Sequence, residues 1–137
     1  MTAEQKRLVQ VTFQQVLEKS DVAAALFYSR LFELNPELRS MFKGNLIEQG
    51  RRLIQIIGAL VNMLDHLDDL VAMAQGLGPR HASYGVREED YKTMGDALIW
   101  TLQKSLGPAF TTEMEIAWAT VYRLLASVMQ TAASVAA

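Results

Sequence analysis

Apolar residues recur every three or four positions almost from end to end of the chain, and nothing alternates with the period of two that marks a half-buried strand. The pattern predicts helices throughout. Thr2, with Gln5 three residues on, has the form of a capping box and opens a first helix with Val9, Phe13, Val16 and Leu17 on one side. Ser20 or Asp21 is expected to cap a second helix, whose apolar face includes Leu26, Phe27, Leu31 and Phe32. Asn35-Pro36 should end it, because proline disfavours helical geometry in the residue before it. A short helix from Pro36 to about Phe42 then uses that proline in its first turn. After a turn at Lys43-Gly44-Asn45, a long helix carries a near-continuous stripe of Leu46, Gln49, Leu53, Ile56, Ile57, Leu60 and Leu64.

Residues 67–77 read as the next helix, with Leu67, Leu70, Val71 and Ala74 on one side, and Gly78-Pro79 is expected to break or kink it. A loop around Tyr84-Gly85-Val86 leads to a helix from about Glu88 to Ser105, ended by Leu106-Gly107-Pro108. Thr112 with Glu115 is placed to cap a last helix that continues to about Ala133. No repeat, low-complexity tract or linker divides the 137 residues, so one domain, 1–137, is expected. Periodicity alone leaves a helical bundle and an orthogonal multi-helix fold equally open.

Composition narrows the chemistry. Half of the residues are apolar and 20% are charged, as in ordinary soluble proteins, and a net charge of −2 without a basic face argues against nucleic acid as a partner. With no cysteine, disulfides, iron–sulfur clusters, thiolate zinc sites and covalent c-type haem attachment are ruled out. Met1 to Arg7 lacks the apolar stretch of a secretory signal. The longest mostly apolar run, Leu53 to Leu64, is too short for a bilayer and contains Gln55 and Asn62. No transmembrane segment and a cytoplasmic location are expected.

Transition-metal chemistry then rests on the two histidines, His66 and His81. His66 lies among Asp65 and Asp68 near a helix end and reads as a surface residue. His81 follows Gly78-Pro79-Arg80; its surroundings are too poor in ligands for zinc or a two-metal hydrolase. One histidine on a helix edge is enough to hold a haem iron on one side, although spacing alone favours a partly exposed histidine without a role. Tyr28, three and four residues before Leu31 and Phe32, lies on the buried face of its helix. Gln49 lies on the apolar stripe four residues before Leu53. The two polar tips either satisfy each other, reach water, or point into one apolar cavity, where they would suit a polarised diatomic ligand. Gly50 costs its helix roughly 1 kcal/mol against alanine, and with Ala24 it would let two helices cross closely.

These pieces occur in the order found in globins, and the chain resembles that family over nearly its whole length. Leu34 to Phe42 resembles the short third helix, with Pro36 and the haem-stacking Phe42; Leu77 to Val86 resembles the proximal segment, with His81 as iron ligand. Tyr91 to Leu98 matches the helix after it and Ala117-Trp118 through Tyr122 the final one, while Gln49, Leu53 and Tyr28 fall at the distal positions, and Gly50 and Ala24 at the close helix crossing. The resemblance implies an all-α globin fold, a three-over-three helical sandwich around haem b (iron protoporphyrin IX). Phe42, Leu53, Val86 and Met94 would pack on the porphyrin, Tyr91 would contact the pocket, and Arg52 and Arg80 would reach the propionates. The Tyr28–Gln49 pair resembles that of single-domain bacterial globins related to flavohaemoglobins, with neuroglobin-like bacterial globins in the same neighbourhood. Flavohaemoglobins continue into a reductase domain, whereas this chain stops at Ala137. They also polarise the iron-bound histidine with a tyrosine and a glutamate; Tyr91 matches the first, but Ala133 stands in place of the second.

The resemblance implies a pentacoordinate ferrous haem that binds dioxygen reversibly, for storage or delivery, and takes carbon monoxide and nitric oxide as well. Nitric oxide dioxygenation with a separate reductase is the enzymatic alternative, and gas sensing through a partner protein a third.

Overall fold

The computed structural model describes residues 1–42, 44–83 and 85–136, with the side chains of Ser83 and of residues 133–136 not included. The expected turn residue Lys43, the expected loop residue Tyr84 and the side chain of Ala133 therefore lie outside the described residues. Six helices carry the fold: α1 (Ala3–Leu17), α2 (Ser20–Leu34), α3 (Leu46–Asn62), α4 (Leu67–Ser83), α5 (Glu88–Leu106) and α6 (Thr112–Ala136). Short 3-10 turns, Pro36–Met41 and Gly107–Ala109, join α2 to α3 and α5 to α6, and the described residues form no strand. None of these helices is long and apolar enough to cross a membrane.

The ends of the helices follow local chemistry. Thr2 and Gln5 exchange both bonds of the capping box, at 3.0 and 2.9 Å. The side chain of Asn35 accepts from the Glu37 amide (3.2 Å) at the head of the first 3-10 turn, and that of Asn45 accepts from the Ile47 amide (2.8 Å) at the head of α3. Gly107 ends α5 at φ +54°, a conformation that glycine reaches without strain. Three expectations fail. Neither Ser20 nor Asp21 caps α2, because the Val16 carbonyl accepts from the Lys19 amide and the Lys19 carbonyl from the Ala23 amide. The join is thus almost helical and Lys19 holds the cap position. Thr111, not Thr112, caps α6: its hydroxyl accepts from the Met114 amide at 3.2 Å, and the helix continues beyond Ala133 to Ala136.

The third correction concerns α4, which runs unbroken through Gly78-Pro79. Proline removes the hydrogen bond that its own nitrogen would have given and crowds the carbonyl four residues back. Tertiary packing offsets that loss, because Gly78 lies directly against the α6 backbone. A Cβ there would overlap the Met129 carbonyl oxygen and come within 2.9 Å of its carbon. Glycine is thus at this position for close approach, and the pair that looks like a helix break is a docking point.

Packing divides the helices. α1, α3 and α6 surround the main core, in which Val9, Phe13, Leu64, Ala117 and Trp118 are buried together. α2 lies along α5 and crosses α3 at Ala24 and Gly50, as the small residues there predict; a Cβ on Gly50 would stand 2.9 Å from that of Ala24. α3 and α4 are consecutive, yet α3 packs on α2 and α1 while α4 packs on α6 through Ala74, Leu77, Ala126 and Met129. The two helices diverge from the turn that joins them. Gly50→Ala is expected to cost about 1–3 kcal/mol through overpacking. Gly78→Ala should cost more, since a backbone carbonyl cannot swing aside as a methyl-bearing helix can shift. Urea midpoints of the two variants test the order, and an equal or smaller loss for Gly78→Ala would mean that α4 is held elsewhere.

Candidate functional site

The last turn of α4 presents His81, half-buried. Its Nδ1 lies 2.7 Å from the Leu77 carbonyl oxygen. A carbonyl only accepts, so Nδ1 carries the proton, and Nε2 is left with the lone pair that coordinates metals. The His81 carbonyl in turn accepts from the Val86 amide (3.1 Å), which ties the loop after α4 to this turn. The Tyr91 ring lies 6.1 Å from the imidazole, centre to centre and tilted by 32°. Its hydroxyl is buried without a hydrogen-bond partner, and burial raises the phenol pKa. Val86 packs into the same cluster as Tyr91 and Met129.

Across the divergence, α2, the first 3-10 turn, α3 and α5 bring Tyr28, Phe42, Leu53 and Met94 into one apolar cluster with Leu31 and Leu38. The Tyr28 ring is held edge-on by Phe27 and Phe42 (5.4 and 5.2 Å) and stacked on Phe32 (6.0 Å). Burial pushes its phenol up to about 12, against the opposing field of the Arg52 guanidinium. Met41 links the two sides, its Cε 4.0 Å from where a Cβ on Gly85 would stand. Gln49 is half-buried on α3, with its amide nitrogen 3.9 Å from the corresponding point on Gly44, beside the turn that precedes the helix. Arg52 is exposed and loosely paired with Glu48 at 3.8 Å, and Arg80 is exposed on α4. His66 is exposed in the turn before α4, and no group of three or more potential ligands that could hold a metal ion occurs among the described residues.

Three features of the neighbourhood are not signalled by apolar periodicity. Asp90 is 1% exposed; its Oδ2 accepts from the Arg87 amide at 2.9 Å, while its Oδ1 has no partner. The Tyr122 hydroxyl donates to the Tyr91 carbonyl at 2.5 Å. Its ring lies so close to Gly95 that a Cβ there would be 2.7 Å from Cε2. Gly95, inside a helix, was the available signal for that contact.

The residues present fit an iron porphyrin. An imidazole with Nδ1 engaged and Nε2 available stands beside a buried hydroxyl that lacks an acceptor. The Tyr28, Phe42 and Leu53 cluster is apolar, and among the described residues α3 and α4 make their main contacts with other helices.

The comparisons with known proteins agree. The family model described as Globin matches residues 25–129. Neuroglobin of Danio rerio is 28% identical over 94% of this chain and 90% of its own length. The flavohemoprotein of Bordetella pertussis is 30% identical over 94% of this chain, which spans 33% of that longer protein. Among solved structures, an engineered carbene transferase, a putative nitric oxide dioxygenase from Rhodothermus marinus, superposes with a TM-score of 0.88 at 25% identity. It covers 99% of this chain and 95% of its own. A hexacoordinated heme protein from an anhydrobiotic tardigrade shares the fold, with a TM-score of 0.87 at 19% identity and 98% and 96% coverage. The chain belongs to the globin family, an all-α fold that binds haem and diatomic gases.

Burial of Tyr28 has a consequence for stability at high pH. Unfolded, the phenol ionises near its ordinary value of about 10; folded, it does so at about 12. Its contribution is therefore fully present below pH about 10 and lost as pH rises through about 12. In Tyr28→Phe the urea midpoint should fall less steeply between those values than in the parent, and identical slopes would mean that the phenol is solvated.

Proposed function

We propose that this chain binds haem b through Nε2 of His81 and holds dioxygen reversibly on the opposite side, for storage or delivery in the cytoplasm. The observation that carries this reading is the Leu77 carbonyl engaging Nδ1 of His81 at 2.7 Å, which fixes both the tautomer and the ring orientation. Bound ferrous haem supplies an iron site that takes a diatomic gas.

The chain's own residues do the rest. Phe42, Leu53 and Met94 on one side, with Val86 on the other, exclude water from the cofactor. Arg80, on the same helix as His81, would be a cation for its carboxylates. His66, exposed in the turn before α4, leaves no second imidazole to close the iron's free position. Tyr28, kept neutral by burial, remains a donor across the working pH range. With Gln49 it donates hydrogen bonds to a ligand whose oxygens gain negative charge on binding. A net contribution of about 1 kcal/mol for each bond corresponds to roughly fivefold in affinity, and more where the acceptor is charged. Carbon monoxide, which stays less polar, gains less, so the pair selects dioxygen over it. The likeness to flavohemoproteins and to a putative nitric oxide dioxygenase supports a second reading. In it, haem held by His81 would supply the chemistry that turns dioxygen and nitric oxide into nitrate, and a separate reductase would supply the electron each turnover needs.

Absorption spectra of the ferric, dithionite-reduced and carbon monoxide-bound protein test the lead reading. A five-coordinate ferrous spectrum that shifts with carbon monoxide, and loss of haem from His81→Ala, are expected; a colourless protein that ignores added haem would end it. Tyr28→Phe is expected to speed dioxygen release several-fold in stopped-flow measurements, with carbon monoxide release little changed. An unchanged dioxygen rate would transfer the role to Gln49. Sustained nitric oxide consumption with an added electron donor would favour the enzymatic reading.

A further inference from the structure

We infer that Asp90 is a positioning residue for the iron ligand, a buried carboxylate that clamps the loop behind His81 and so fixes how the imidazole is presented. This rests on the haem-binding reading above. Val86 is held from both ends. Its own amide donates to the His81 carbonyl at 3.1 Å, and the next amide, that of Arg87, donates to Oδ2 of Asp90 at 2.9 Å. The Asp90 amide in turn donates to the Arg87 carbonyl at 3.0 Å, so the first turn of α5 and the end of the loop close on each other. The last turn of α4 is tied in this way, through one residue, to a side chain of the next helix.

A residue that served only to start α5 would not need burial. Thr2, Asn45 and Thr111, which cap other helices, are all exposed, whereas Asp90 is 1% exposed and its Oδ1 has no partner. Loss of water around an unsatisfied oxygen is a cost that a helix start alone does not demand. The ion pair with Arg87 does not account for it. Nε of Arg87 stands 3.6 Å from Oδ2, and the arginine side chain is 57% exposed and also meets Glu89 at 3.0 Å. What the turn carries does account for it. Tyr91, the next residue, has its ring beside His81, and Met94, one turn on and on the same side as Asp90, packs in the Tyr28 cluster. The Tyr122 hydroxyl, donating to the Tyr91 carbonyl, anchors this turn to α6 as well. Asp90 thus sets the loop, the Tyr91 ring and the histidine turn as one unit.

Resonance Raman spectra of the ferrous protein read the iron–histidine stretch, and transfer of haem to an excess of a haem-capturing apoprotein reads its retention. Asp90→Ala should shift or broaden the stretch and speed haem loss by roughly three- to tenfold, the scale of one buried hydrogen bond. Asp90→Asn, whose amide oxygen can still accept from Arg87, should restore both. Thr111→Ala, which removes an exposed cap from α6, is the control: it should lower the urea midpoint and leave both readouts unchanged. Equal spectra and haem loss in Asp90→Ala and Thr111→Ala overturn the inference. An Asp90→Asn variant as altered as Asp90→Ala also overturns it, since the charge and not the clamp would then matter. If Asp90→Ala does not fold, amide exchange in the parent decides. The Val86 and Arg87 amides should exchange slowly and together, and rapid exchange at Arg87 overturns the clamp. A parent protein without an iron–histidine band fails the haem-binding reading instead, and amide exchange still tests the clamp.

Discussion

The backbone of α4 rests on the backbone of α6 at Gly78, and the site depends on that contact. Because no side chain can stand between Gly78 and Met129, α4 lies along α6 and not along α3, its neighbour in sequence. A second close crossing, of Gly50 on Ala24, holds α3 to α2. The two crossings hold consecutive helices to different partners, with His81 on α4 and Leu53, of the Tyr28 and Phe42 cluster, on α3. A larger residue at either place would move a whole helix, because close-packed interiors transmit a local misfit instead of absorbing it.

Polar groups inside this arrangement are unevenly satisfied. The His81 imidazole, the Val86 amide and the Tyr122 hydroxyl each meet a backbone carbonyl. The Tyr91 hydroxyl and one oxygen of Asp90 meet nothing. Buried polar atoms without partners are costly, of the order of 1–3 kcal/mol each, and are tolerated where they await a partner. That the Tyr91 hydroxyl is one of them, next to the imidazole, agrees with a cofactor that carries hydrogen-bond acceptors. His81 itself leans on a carbonyl and not on a carboxylate among the described residues. A metal held by a ring so oriented would receive less electron density than from an imidazole polarised by an anion.

Much of this was legible in the residues alone. The order and extent of the helices, the crossing at Ala24 and Gly50, and the gathering of Tyr28, Phe42, Leu53 and Met94 follow from periodicity, from the cost of glycine in a helix, and from family likeness. What escaped depended on contacts between distant segments. Gly78-Pro79 resembles a stop because both residues weaken an isolated helix; only the presence of α6 turns the glycine into an advantage and makes the proline tolerable. Thr111 and Thr112 are equally good caps in isolation, and the path of the chain out of the preceding 3-10 turn chooses between them. The direction of the Gln49 amide, beside Gly44, is a rotamer choice that sequence does not encode. The looseness of the Arg52–Glu48 pair became visible only with a distance and an exposure.

The dependence of α4 on α6 also orders events during synthesis. Residue 78 can take its final place only after residue 129 has left the ribosome, and at translation rates of about 5–20 residues per second that interval is roughly 3–10 s. During it, α1, α2 and α3 can already form their mutual contacts while α4 lacks its principal partner. The imidazole of His81, at the end of α4, therefore reaches its final place only after most of α6 has been made.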